Sequence, residues 1–144
     1  MLKVIHDPIA YEKQKIDTFL RDPMFSSLNV VKNDSGVYHI VTQDGIGSVI
    51  GDTMTVTMIY SLKLLDGTVI QEVLNTSSPF VYDIAKNTVI PGFKQAILEM
   101  KNTEEAVVII PYKQGYGEPS GNLPAFSTLV YYISILSVSD THGN

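Results

Sequence analysis

The chain has 144 residues, 44% of them hydrophobic and 17% charged, with no cysteine and a formal net charge of −5. This is one-domain length with globular composition, able to bury roughly 68–70% of its unfolded surface without a metal or disulfide staple. Disulfides, thiolate nucleophiles and cysteine-ligated metals are excluded, and the acidic balance argues against a nucleic-acid partner and against docking on an anionic membrane surface.

In chain order, the first element reads as a helix. Asp7 can cap it and Pro8 suits its first position. Ile9, Ile16, Phe19 and Leu20 fall near one face, and Asp22-Pro23 stops it because a residue before proline avoids the α region. That face is expected to pack on the domain or on a partner, since an isolated helix this short is marginal in water. Residues 29–32 form a short strand, Asn33-Asp34-Ser35-Gly36 a turn, and 37–43 an alternating strand before a turn at Asp44-Gly45. The glycines of 45–51 superficially resemble a dinucleotide loop, but that motif must lead from a strand into a helix. Here a strand follows, so they read as turn glycines.

The clearest pattern covers 53–65. Met54, Val56, Met58, Tyr60, Leu62 and Leu64 alternate with polar neighbours, as in an antiparallel strand with one buried face. Asp66-Gly67 closes a hairpin into 68–72, and 80–84 alternates again. Residues 91–100 carry the second helical pattern, with Phe93, Ile97 and Met100 on one face. Residues 106–111 are almost continuously apolar, as in a strand buried on both faces. Residues 115–127 form a Gly- and Pro-rich loop, 128–138 a last long strand, and the tail from 139 is expected to fray. The class is α+β, an antiparallel sheet on one short helix. Residues 1–28 read as an N-terminal helical extension and 29–144 as the domain.

Familiar catalytic constellations are missing. His6, His39 and His142 have no metal-ligand spacing, and there is no GxSxG, P-loop or EF-hand loop. Glu104-Glu105 reads as a solvated turn rather than an acid/base dyad. No cofactor is expected. The longest apolar runs, 106–111 and 129–133, are too short to span a bilayer. The N-terminus MLKVIHDPIAYEKQ lacks the apolar core and cleavage site of a signal peptide. The chain as given reads as soluble, periplasmic or cell-envelope if a signal was removed and cytoplasmic otherwise.

What remains is a set of aromatic and apolar residues at turns and strand ends, in a specific order. Gly51-Asp52-Thr53 is followed by Tyr60, Leu65-Asp66-Gly67, Pro79-Phe80 and Val89-Ile90-Pro91-Gly92-Phe93. Then come Met100, Ile110-Pro111, Gly115-Tyr116-Gly117, Leu123-Pro124 and Ser127 through Tyr131. From Gly51 to Val138 this closely resembles the FKBP-type peptidyl-prolyl cis-trans isomerases, and the N-terminal helix followed by Ser35-Gly36-Val37-Tyr38 resembles bacterial members with an extension, gliding-motility-associated relatives among them. The resemblance implies an antiparallel sheet of five or six strands curled around one short helix. It places the family's pocket on Tyr60, Ile70, Gln71, Phe80, Val89, Ile90, Phe93, Tyr116, Leu123 and Tyr131.

The resemblance further implies proline-containing polypeptides as substrates and macrolides as inhibitors. Three departures from the family pattern stand out. Phe93 takes the place of the usual floor tryptophan. Ile70-Gln71 replaces Phe-Asp, so the pocket's acidic group is neutral. Thr103 stands where a turn glycine is common. Two functions stay open: a working isomerase, or a peptide-binding or chaperone module of the same fold whose turnover is weakened by Gln71.

Overall fold

The computed structural model describes residues 7–115 and 127–140. Helix α1 spans Pro8–Phe19, with Asp7 Oδ1 accepting from the backbone N–H groups of Ile9 and Ala10 at 3.0 and 3.4 Å. Asp22 then caps a 3-10 turn over Pro23–Phe25, so the expected stop falls where the proline demands it.

Nine strands follow among the described residues: β1 Val30–Lys32, β2 Tyr38–Gln43, β3 Ile46–Val49, β4 Thr55–Leu64, β5 Val69–Val73, β6 Phe80–Asp83, β7 Lys101–Asn102, β8 Glu105–Ile110 and β9 Leu129–Ser139. Helix α2, Pro91–Leu98, lies between β6 and β7. The main sheet has the order β1-β2-β8-β9-β4-β5, and β6 also pairs with β4. All its pairings are antiparallel. Strands β5 and β6 share one edge, β6 along Thr55–Met58 and β5 along Tyr60–Lys63. The seven segments therefore fill six positions, in line with the expected sheet.

Side chains alternate between two apolar layers, as the pleat requires. On one face Val56, Met58, Tyr60 and Leu62 of β4, with Val108 and Ile110 of β8, pack against Phe93, Ala96 and Ile97 of α2. On the other face Tyr38, Ile40, Val107, Ile109 and Val130 pack against Ile16 of α1 and Phe25. Residues 106–110 are consequently buried throughout, as the unbroken apolar run implied.

Three local expectations are corrected. The buried stripe of α1 contains Ile16, Phe19 and Leu20 but not Ile9, which is 50% exposed. Its place is taken by Glu12, one turn before Ile16, because two donors await that carboxyl group. The glycine-rich 45–51 stretch is not all turn. Ile46–Val49 pairs with Lys101–Asn102 as a separate two-stranded sheet. Gly45 permits this: a Cβ there would lie 2.6 Å from the Asn102 carbonyl oxygen. Finally, Glu104 is no solvated turn residue. It is 4% exposed, and its Oε2 lies 2.7 Å from His39 Nε2 while Oε1 accepts from Lys101 N–H at 3.2 Å. Glu105 beside it is exposed.

Candidate active site

The sheet face that carries α2 ends in a ring of aromatic side chains. Tyr60 projects from the middle of β4. Its cross-strand partner on β9 is Ile133, and Tyr131 lies diagonally on the same face, with ring centroids 5.6 Å apart. Phe80 opens β6 opposite Met58 and meets the Tyr60 ring nearly edge-on at 5.6 Å. Phe93 rises from the first turn of α2 to within 4.9 Å of the Tyr131 ring, 6.2 Å of Tyr60 and 6.4 Å of Phe80. Such tilted and edge-to-face pairs are the favoured aromatic geometries.

Pro91 fixes the entry to α2, and Ile90 precedes it in an extended conformation as the helix cap. This sets Val89 and Ile90 across the mouth of the ring. The result is a cavity of about 120 Å³ lined by Tyr60, Gln71, Phe80, Thr88, Val89, Ile90, Phe93 and Tyr131. Seven of these are the residues that the sequence put together. Thr88 was missed, and its only signal was its place directly before Val89.

Ile70 and Gln71 sit at a β-bulge. Leu62 faces Gln71 and Lys63 faces Val69, so Ile70 is the extra residue. Gln71 reaches the cavity rim, whereas Ile70 is absent from the lining and packs half-buried on the core. Glu72 points the other way and accepts from Ser61 Oγ at 3.1 Å. Tyr116 and Leu123 lie outside the described residues.

Behind the ring lies Tyr82, fully buried, stacked on Phe80 and 5.8 Å from Phe93. Its hydroxyl has no hydrogen-bond partner among the described residues, and burial pushes its pKa up from the usual 10.0. Among the described residues the lining holds no acid, base or thiol. Among the described residues no group of three or more His, Asp or Glu is placed to hold a metal ion, and no helix is long and apolar enough to cross a membrane. Among the described residues the cavity is an aromatic box whose lining also carries two neutral polar side chains, Gln71 and Thr88. It can enclose a compact ring and strip water from a neighbouring amide.

Comparison with known proteins gives one family. Residues 47–136 match the model of the FKBP-type peptidyl-prolyl cis-trans isomerases. The chain is 32% identical over 111 residues to the FKBP-type 22 kDa peptidyl-prolyl cis-trans isomerase of Escherichia coli K12, covering 76% of this chain and 53% of that protein. It is 35% identical over 83 residues to peptidyl-prolyl cis-trans isomerase FKBP2 of Mus musculus, covering 56% of this chain and 59% of that one. It is also 30% identical over 128 residues to the outer membrane protein MIP of Legionella longbeachae, covering 88% and 54%. The chain thus spans little more than half the length of these relatives. Among solved structures, FkpA from Escherichia coli superposes with a TM-score of 0.77 at 24% identity, over 93% of this chain and 60% of that one. The peptidyl-prolyl cis-trans isomerase of Pseudomonas syringae superposes with 0.72 at 22% identity, over 95% and 99%. At those identities the two structures establish the fold.

Proposed function

The chain belongs to the FKBP-type peptidyl-prolyl cis-trans isomerase family, and from that premise we propose that it accelerates rotation about X–Pro bonds in protein substrates, using the aromatic cavity. The observation that carries the reading is the lining itself: four aromatic rings converge on a space of about 120 Å³ with Val89 and Ile90 across its mouth.

The chemistry needs nothing that the cavity lacks. Rotation about the amide bond faces a barrier of ~18–20 kcal/mol because resonance must be broken, and the uncatalysed step takes tens to hundreds of seconds. The twisted amide has lost resonance and is less dipolar than the planar ground state. A dry apolar site therefore favours it over the planar form, which prefers water. This is differential binding of the transition state, with no nucleophile or proton donor required. Phe80, Val89, Ile90, Phe93 and Tyr131 enclose the proline ring, Tyr60 closes the wall between them, and Gln71 meets the substrate amide at the rim. The family resemblance implies a hydrogen bond from Tyr116 to a substrate carbonyl and a substrate contact at Leu123, both of which lie outside the described residues.

Proline-containing polypeptides are the substrates, and macrolides compete for the same cavity. The extension of residues 1–28 packs on the domain of residues 29–144 through Ile16 and Phe25. Similarity to a protein named as an outer membrane protein supports the cell envelope over the cytoplasm as the compartment.

A second reading rests on Gln71, which stands at the cavity rim where the family resemblance implies an aspartate. In that reading the cavity holds proline peptides but turns them over poorly. A protease-coupled isomerisation assay on a series of short X-Pro peptides separates the two. Acceleration over buffer is expected. A rate equal to buffer for every peptide, with binding retained, overturns the enzyme reading in favour of the binding module.

A further inference from the structure

Glu12 is the one charged side chain of α1 that the fold buries, at 9% exposed. Helix docking alone does not call for it, because Ile16, Phe19 and Leu20 already supply the apolar contact. A carboxyl group in that stripe is costly unless it is hydrogen-bonded. Its Oε2 accepts from Tyr112 N–H at 2.7 Å and from Thr128 Oγ1 at 2.5 Å.

Those two donors belong to the two supports of the cavity. Tyr112 opens the 3-10 turn Tyr112–Gln114. That turn sits directly on the first turn of α2: a Cβ added to Gly92 would lie 2.9 Å from the Gln114 carbonyl oxygen and 2.4 Å from Ile110 Cγ2. Gly92 is flanked by Pro91 and Phe93, so this contact sets the height of the cavity floor. Thr128 immediately precedes β9, and Tyr131 stands three residues later in the cavity wall.

We propose that Glu12 is a positioning residue for the pocket. It ties the turn beneath α2 to the start of β9 and so holds the Phe93 and Tyr131 rings at their 4.9 Å separation. Hydrogen bonds to a carboxylate are roughly twice as strong as neutral ones, which suits an anchor that must hold two backbone segments at once. The N-terminal helix is then part of the machinery that shapes the cavity, though it touches no substrate. This inference rests on the cavity being the isomerase site.

The test compares the full-length parent with Glu12→Ala, Glu12→Gln, Thr128→Val and, as a control on the solvent face of the same helix, Lys13→Ala. Isomerisation of an X-Pro peptide gives kcat and KM, and the amide resonances of Phe93 and Tyr131 report the cavity without substrate. Glu12→Ala is expected to lower kcat about tenfold with little change in KM, because misplacement acts on the transition state. The Phe93 and Tyr131 resonances are expected to move with it. Thr128→Val, which loses one of the two bonds, falls in between, and Glu12→Gln keeps an acceptor oxygen and retains most of the activity. Lys13→Ala matches the parent.

A folded Glu12→Ala protein with parental kcat and unmoved Phe93 and Tyr131 resonances overturns the proposal and leaves Glu12 as a helix anchor only. If Glu12→Ala does not fold, Thr128→Val decides by the same two readouts. If the parent itself fails to accelerate isomerisation, the isomerase reading falls, and the resonances still decide whether Glu12 positions the cavity.

Discussion

Replacing Tyr82 by phenylalanine is expected to stabilise the protein, which is an unusual sign for a change in a buried core. Tyr82 is fully buried and its hydroxyl has no partner among the described residues. Burying a hydroxyl unpaired costs about 1–3 kcal/mol on mutational evidence. The substitution removes that oxygen and leaves the ring where it is, stacked on Phe80 and packed on Phe93. The void of one oxygen atom returns only a few tenths of a kcal/mol. The expected net gain is about 1–2 kcal/mol, seen as a higher urea midpoint at unchanged m-value and a Tm raised by about 3–8 °C for a chain of this size.

Alkaline pH supplies a second signature. Burial raises the Tyr82 pKa above 10.0 in the folded state, and burial together with the Asp22 charge does the same for Tyr132. Between the unfolded and folded pKa values the native state keeps a proton that the unfolded state has lost, so stability falls as pH rises. Below pH 10 neither group contributes a slope. The parent should therefore lose stability above pH 10 more steeply than Tyr82→Phe, while both are flat in this respect at neutral pH. A Tyr82→Phe protein less stable than the parent at pH 7 would refute the reasoning and show that the hydroxyl has a hydrogen-bond partner worth keeping.

Gln71→Asp should raise kcat/KM for X-Pro peptides and tighten macrolide binding, since a carboxylate at the rim accepts more strongly than a neutral amide; equal or lower activity in a folded variant would mean that the cavity has adapted to glutamine. Ile16→Ala should cost about 2–4 kcal/mol in urea unfolding, because Ile16 is 2% exposed beneath α1; a loss below about 0.5 kcal/mol, the range of ordinary surface changes, would mean that α1 is not docked in solution. Thr103→Gly should raise stability by a few tenths to about 1 kcal/mol. Thr103 is β-branched at φ 66°, a conformation costing such residues about 1–2 kcal/mol, partly offset by the larger chain entropy of glycine; a drop in Tm would show that Thr103 is held there without strain.

The parts of the fold visible in the sequence are those written in local periodicity or in turn chemistry. The alternation of 53–65 gave β4, the unbroken apolar run gave the doubly buried β8, and Asp7-Pro8 gave the start of α1. What escaped depended on partners far along the chain. Lys101–Asn102 is too short to carry a pattern, and Ile46–Val49 becomes a strand only because Lys101–Asn102 lies beside it. Glu104 looks solvated next to Glu105 until His39 is brought to it by the pairing of β2 with β8. Glu12 breaks the apolar stripe for the same reason, since its donors lie a hundred residues away. The cavity was more legible than these because its residues fall in an ordered set, but the bulge that takes Ile70 out of the lining while leaving Gln71 in it is a matter of register. Alternation alone does not reveal such a shift.

The two faces of the sheet bear on one another through β9. Leu129, Tyr131, Ile133 and Ile135 face α2 and the cavity, while Val130 belongs to the layer beneath α1. One backbone therefore carries a wall of the cavity and a seat for the N-terminal helix on alternate residues. The same holds for β8, where Val108 and Ile110 face the cavity side and Val107 and Ile109 face α1. Interiors packed to crystal-like density transmit displacement rather than absorb it. A shift of α1 against Val107, Ile109 and Val130 must move strands that also place Tyr131 and, through Ile110 against Gly92, the floor at Phe93. An aromatic cavity of about 120 Å³ tolerates little such movement, since the proposed enclosure of a proline ring depends on close contact from several sides at once. Covering the second face of the sheet thus fixes the geometry of the cavity on the first.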